Sequence, residues 1–97
     1  EFRADFLKQQ FQKLLEPPSG MHIATLQGQT QSLFCLTVDR NKLYSGSYDK
    51  TIRVWDTDTH RHIATLQGHT DKVQGITVAG NKLYSGSEDN TIRVWAL

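Results

Sequence analysis

GHTDKVQGITVAGNKLYSGSEDNTIRVW, residues 68–95, is the stretch that decides the fold. It divides into three short β-capable runs at 72–78, Lys82–Ser87 and 91–95, and the run His62–Leu66 precedes it. Strands of five or six residues broken by polar turns read as all-β. The turns at 79–81 and 87–90 carry Gly, Asn, Asp and Ser, which tolerate left-handed geometry or close Asx-turns. Moving outward, the chain overlays on itself at a shift of 40. Residues 22–57 lie on 62–97, and 23 of those 36 positions are identical. HIATLQG, NKLYSGS and TIRVW each occur twice in register, so the match is a true internal repeat. The first unit has its own turns at 39–41, 48–50 and 57–59.

Gly68-His69, the Ser85-Gly86-Ser87-x-Asp89 segment and a β run closing on Trp95 resemble the WD-repeat family, and Trp55-Asp56 supplies the dipeptide that names it. The resemblance covers residues 22–97, as two repeats at 22–61 and 62–97. It implies β-propeller blades, each repeat giving the outer strand of one blade and three inner strands of the next. It also implies a hydrogen-bonded cluster inside each blade. In the second unit the members would be His69, Ser85 or Ser87, Asp89 and Trp95. In the first, Asp49 and Trp55 stand in place, but Gln29 replaces the histidine. A buried imidazole and carboxylate are costly unless paired, so an incomplete cluster predicts a softer first blade. Ala96 stands where the first unit has Asp56.

Residues 1–16 have a different pattern. Ala4, Leu7, Phe11, Leu14 and Leu15 fall on one helical face, opposite Asp5, Gln9, Gln12 and Lys13, so an amphipathic helix is expected. Residues 17–21, beginning Pro17-Pro18-Ser19-Gly20, form the linker. The helix is too short to stand alone in water and must dock on its own domain, a sister helix or a partner. The chain starts without methionine or a signal-peptide pattern, which suggests trimming from a longer chain.

The whole chain has 97 residues, 11 Lys plus Arg and 10 Asp plus Glu. A net charge of +1 offers no electrostatic case for nucleic acid or an anionic membrane. No apolar run approaches the roughly 18 residues of a membrane span. Cys35, the single cysteine, sits in an apolar alternating run and reads as a small packed side chain rather than a reactive thiol. The lack of cysteine pairs suits a reducing, intracellular and cytoplasmic setting.

His69, Asp89 and Ser85 invite comparison with a catalytic triad, but no oxyanion loop or glycine elbow accompanies them. His60 and His62 lack a third ligand, so neither a metal nor a cofactor is expected. The resemblance instead implies binding of proteins or peptides on the loop face. By position that face is Thr30, Ser32 and Tyr48 in the first unit, and Thr70, Lys72 and Glu88 in the second. The family's occasional role as substrate adaptor in ubiquitin transfer is also permitted. A purely structural, self-assembling or designed propeller fragment with no ligand remains the alternative. Two repeats cannot close a ring, and 22–26 is an outer strand without a blade of its own. Either the chain is part of a larger propeller, or identical chains exchange outer strands, as a tetramer of eight blades or a trimer of six.

Overall fold

The computed structural model describes residues 17–97; the expected helix over 1–16 lies outside the described residues. Seven strands follow in order: β1 Leu33–Asp39, β2 Lys42–Ser47, β3 Ile52–Asp56, β4 His62–Leu66, β5 Val73–Ala79, β6 Lys82–Ser87 and β7 Ile92–Ala96. They form two antiparallel meanders, a four-stranded sheet β1-β2-β3-β4 and a three-stranded sheet β5-β6-β7. The repeat is thus out of phase with the blade: β4 opens the second repeat and closes the first blade. It pairs with β3 through Ile52↔Leu66, Arg53↔Thr65, Val54↔Ala64 and Trp55↔His62, with a bulge between the last two pairs.

The second blade ends at β7, and no described strand lies beyond it. The expected outer strand at 22–26 is not a strand here; those residues run as irregular backbone. A strand is held by its ladder, and among the described residues no strand pairs with this segment. The consequence shows in burial. Ile52 and Val54 on β3 are 1% and 6% exposed, whereas Ile92 and Val94 at the same positions of β7 are 75% and 56% exposed.

The tight turns carry strain in one repeat that they avoid in the other. The β1–β2 turn places Arg40 at φ 55, and the β5–β6 turn places Gly80 at φ 61. The β2–β3 turn has Lys50 at φ 76, while its twin has Asn90 at φ 69. Left-handed backbone suits Gly and Asn and costs an ordinary L-residue about 1–2 kcal/mol. The sequence pattern places left-handed geometry in these turns; the structure assigns it to Arg40 and Lys50, not to the neighbouring Asn41 and Asp49.

Between the blades, β5 packs on β1 and β2. Tyr44, Ile52, Val54, Val73 and Leu83 form the buried core, joined by half-buried Cys35, Ile76, Val78 and Trp95. Cys35 is a packing residue, as expected, and burial pushes its thiol pKa up. The closest approach is at Gly46. A Cβ there would lie 2.5 Å from Cys35 Sγ and 2.8 Å from Val73 Cγ1. Gly46→Ala should therefore destabilise the chain by about 1–3 kcal/mol, the scale of core overpacking. Chemical denaturation measures this. An unchanged midpoint would mean that the two blades do not meet at Gly46.

Candidate functional site

Each blade carries a line of polar side chains, and the second blade's line is complete. Trp95 Nε1 donates to Ser85 Oγ at 2.8 Å. Ser85 Oγ lies 2.7 Å from His69 Nε2, and His69 Nδ1 lies 2.9 Å from Asp89 Oδ2. An ionised Asp89 can only accept, so Nδ1 carries a proton; Ser85, already accepting from Trp95, donates to Nε2. Every proton then has one place to go, from indole to hydroxyl to imidazole to carboxylate. Strand parity alone leaves Ser85 and Ser87 equivalent; the structure puts Ser85 in this line. Ser87 Oγ instead donates to the Lys72 carbonyl at 2.8 Å and accepts from Asp89 N at 3.1 Å, fastening the loop.

Asp89 also accepts from Thr70 N at 3.0 Å and Thr91 N at 2.9 Å, and from the Thr91 hydroxyl. The Thr91 hydroxyl is the leading cause that holds the Asp89 carboxyl far below the usual carboxylate range; His69 and the two backbone N–H groups add to it, and partial desolvation opposes them. In the first blade burial acts to raise Asp49, yet donors from Thr51 and Thr30 outweigh it and lower the pKa. Thr51 and Thr91 have a readable sequence signal, a threonine two residues after aspartate, which closes an Asx-turn.

The first blade breaks the line at Gln29. Gln29 Nε2 donates to Ser45 Oγ at 2.9 Å, and Trp55 Nε1 donates to the same oxygen at 3.0 Å. Ser45's own proton finds only the Arg53 carbonyl, at a long 3.5 Å. Among the described residues, Gln29 Oε1 is buried without a partner. Turning the amide over would exchange a stranded acceptor for a stranded donor. Asp49 is held by Thr30 and Thr51 and receives nothing from Gln29.

The loop-face positions also come together. Tyr48 N donates to the Ser32 carbonyl at 2.9 Å, and Glu88 N donates to the Lys72 carbonyl at 3.1 Å. Thr30 and Thr70 lie beside them, each bound to its blade's aspartate. The sequence reading missed Phe34, an exposed apolar side chain inside an alternating strand. Its ring stacks on Tyr48 with centroids 5.8 Å apart. Lys72 Nζ, from the second blade, stands 5.2 Å from the Tyr48 centroid and 5.3 Å from that of Phe34. Glu88 is occupied by Gln74 Nε2 at 2.7 Å. Among the described residues, no three His, Cys, Asp or Glu side chains cluster as a metal site would require.

Two outcomes follow from the polar lines. Gln29→His should connect Ser45 to Asp49 and raise stability by about 1 kcal/mol, one net hydrogen bond. His69→Gln should lower it by about 1–3 kcal/mol, the cost of stranding buried partners. Urea titration reads both, and a Gln29→His chain less stable than wild type would refute the assignment. The second outcome concerns acid. A carboxyl whose folded pKa is depressed contributes stability that is full above its unfolded value, about 3.9. That contribution fades as pH falls from there through the folded value. Melting temperature should thus drop between about pH 4 and pH 2, and Asp89→Asn should flatten that drop. An unaltered acid limb in Asp89→Asn would show that Asp89 is not its source.

The comparisons with known proteins agree with this geometry. The family described as "WD domain, G-beta repeat" matches residues 20–56 and again 60–96. A probable E3 ubiquitin ligase complex SCF subunit sconB from Emericella nidulans is 49% identical over 37 residues, 38% of this chain. Its counterpart from Aspergillus niger has the same identity and coverage. The chain spans only 6% of the length of these relatives. Among solved structures, the computationally designed Ika4 protein has a TM-score of 0.74 at 30% identity, over 81% of this chain and 49% of that one. The computationally designed Ika8 protein has the same score and identity, with 25% of its chain covered. U3-55K has a TM-score of 0.69 at 31% identity, covering 73% of this chain and 23% of its own. Two meanders of the expected strand order, each with its tryptophan bonded to a strand serine, and two matches that span most of the sequence lead to one statement: the chain belongs to the WD domain, G-beta repeat family.

Proposed function

We propose that this chain is a non-catalytic scaffold for binding proteins or peptides, whose open second blade is completed by an outer strand from another chain. One contrast carries the reading. The groups that could do chemistry, His69, Asp89 and Ser85, are saturated by one another and by Trp95 and Thr91. Phe34 and Tyr48 are instead exposed across the blade junction beneath Lys72. Exposed aromatics beside a cation are typical interface anchors. The sconB relatives are named as subunits of a ligase complex, which supports protein partners over a reaction performed by this chain. A place as substrate adaptor in ubiquitin transfer fits the same reading.

The partner surface comprises Thr30, Ser32, Tyr48 and Phe34 on the first blade with Thr70, Lys72 and Glu88 on the second. The near-balanced charge favours proteins over nucleic acid or membrane as partners. A cytoplasmic setting goes with a lone cysteine engaged in packing. Two blades per chain give an even blade count, and we infer four chains and eight blades, with three chains and six blades as the alternative.

The test of the binding face is capture from a cell extract by the immobilised chain, compared with Tyr48→Ala and Lys72→Ala. Each variant should retain its far-ultraviolet spectrum and bind the captured proteins at least about tenfold more weakly. Equal capture by all three chains would move the site elsewhere. Capture of nothing but the chain itself would favour the purely structural alternative, to which the near-identity of the two units lends support.

A further inference from the structure

We propose that Lys72, Phe34 and Tyr48 form a site for a single carboxylate side chain of the partner that stands beside an apolar one. This rests on the binding-face reading above and specifies the chemistry that the face selects.

The site lies across the closed junction between the two blades. Phe34 comes from β1, Tyr48 from the turn after β2, and Lys72 is the residue before β5. The two rings stack at 27° with centroids 5.8 Å apart and make one floor. Lys72 Nζ stands over both, 5.2 Å from the Tyr48 centroid and 5.3 Å from that of Phe34. Both distances fall inside the roughly 6 Å range of cation–π attraction. Phe34 is 47% and Tyr48 50% exposed, so the floor extends beyond the ammonium.

The ammonium is held by rings and not by an acid, although carboxylates are its neighbours. Each of those is engaged elsewhere. Asp71 accepts from Lys72 N at 2.7 Å, and Glu88 accepts from Gln74 Nε2 at 2.7 Å. Asp49 is held by Thr30 and Thr51. Among the described residues, no carboxylate oxygen lies within 4 Å of Lys72 Nζ. A ring face attracts the charge without supplying the oxygen acceptors that suit an ammonium's three donors. The rings also keep water from one side of Lys72, which strengthens its attraction to an incoming carboxylate.

Charge sets the class of partner. One ammonium matches one carboxylate, whereas a phosphate carries nearly two charges and would meet aromatic carbon where a second cation is needed. The exposed ring surface beside Lys72 then takes the apolar neighbour of that acid. The site is not part of the repeated framework. Phe34, Tyr48 and Lys72 stand where the other repeat has Gln74, Glu88 and Ser32. One repeat supplies the rings and the other the lysine, so the described chain forms the site once.

Selection of random peptides displayed on phage by the immobilised chain tests this. The wild type should enrich sequences with Asp or Glu beside Leu, Ile or Phe. Lys72→Glu should enrich Lys or Arg in place of the acid. The best wild-type peptide, resynthesised, should bind Lys72→Glu at least about tenfold more weakly. It should bind Lys72→Arg within about threefold of wild type, because a guanidinium keeps the charge and stacks on rings. Its binding should not tighten when phosphoserine replaces the acid. Peptides that are enriched by wild type and lost in Tyr48→Ala, but show no preference for an acid, would overturn the carboxylate and leave the binding face standing. A tighter phosphopeptide would do the same. Enrichment that survives both Tyr48→Ala and Lys72→Glu unchanged, or no enrichment by a folded chain, would overturn both readings. Should Lys72→Glu fail to fold, Lys72→Ala gives a second measurement. It should lose the preference for an acid, and a chain that kept it would refute the assignment.

Discussion

A blade of this family needs four strands, and its own repeat supplies only three of them after the outer strand of the blade before. Everything else in the structure depends on that offset. Where β4 arrives, Trp55 is buried under the edge of the His62 ring and β3 becomes an interior strand. Where no outer strand arrives, Trp95 is only half-buried and β7 is left as an edge, although the two strands share the sequence IRVW. Identical residues thus have opposite environments for a reason that lies entirely outside their own strand. An exposed apolar edge of this kind is a template for further pairing.

Inside a blade the stabilising interaction is polar and directional. The line from Trp95 through Ser85 and His69 to Asp89 works because the two middle groups each accept on one side and donate on the other, between an indole that only donates and a carboxylate that only accepts. Imidazole fits the middle of such a line, since its two ring nitrogens can accept and donate along one axis. A carboxamide presents both functions at a single end. Gln29 therefore reaches Ser45 and can go no further, and the threonines take over Asp49. The first blade is also the one that holds Arg40 and Lys50 in left-handed backbone. It compensates with a full complement of strands. The second blade has the better interior and the poorer perimeter.

Much of this was legible in the residues. The forty-residue repeat and the short alternating runs located the seven strands closely, because each strand's turns contain Gly, Asn, Asp or Ser at the required places. The choice between Ser85 and Ser87 was beyond strand parity, since both occupy the same face. It depended on which hydroxyl met the imidazole and which met the loop carbonyls. Phe34 and Lys72 lie in different blades, so their approach is a property of how the blades pack and leaves no local pattern in either repeat. Residues 22–26 were expected as an outer strand and run as irregular backbone. A β-capable segment becomes a strand only when an edge is within reach, and among the described residues no strand pairs with this one.

The thirteen positions at which the two repeats differ have a physical order. Gln29/His69 changes a blade interior, and Arg40/Gly80 and Lys50/Asn90 change turn strain. Ser32/Lys72, Phe34/Gln74 and Tyr48/Glu88 change the exposed loop face. Leu33/Val73 and Cys35/Gly75 change the blade-to-blade contact, and at both positions the first repeat has the larger side chain. The positions that stay identical include all five of HIATL and all four of IRVW, the two halves of the outer-strand ladder.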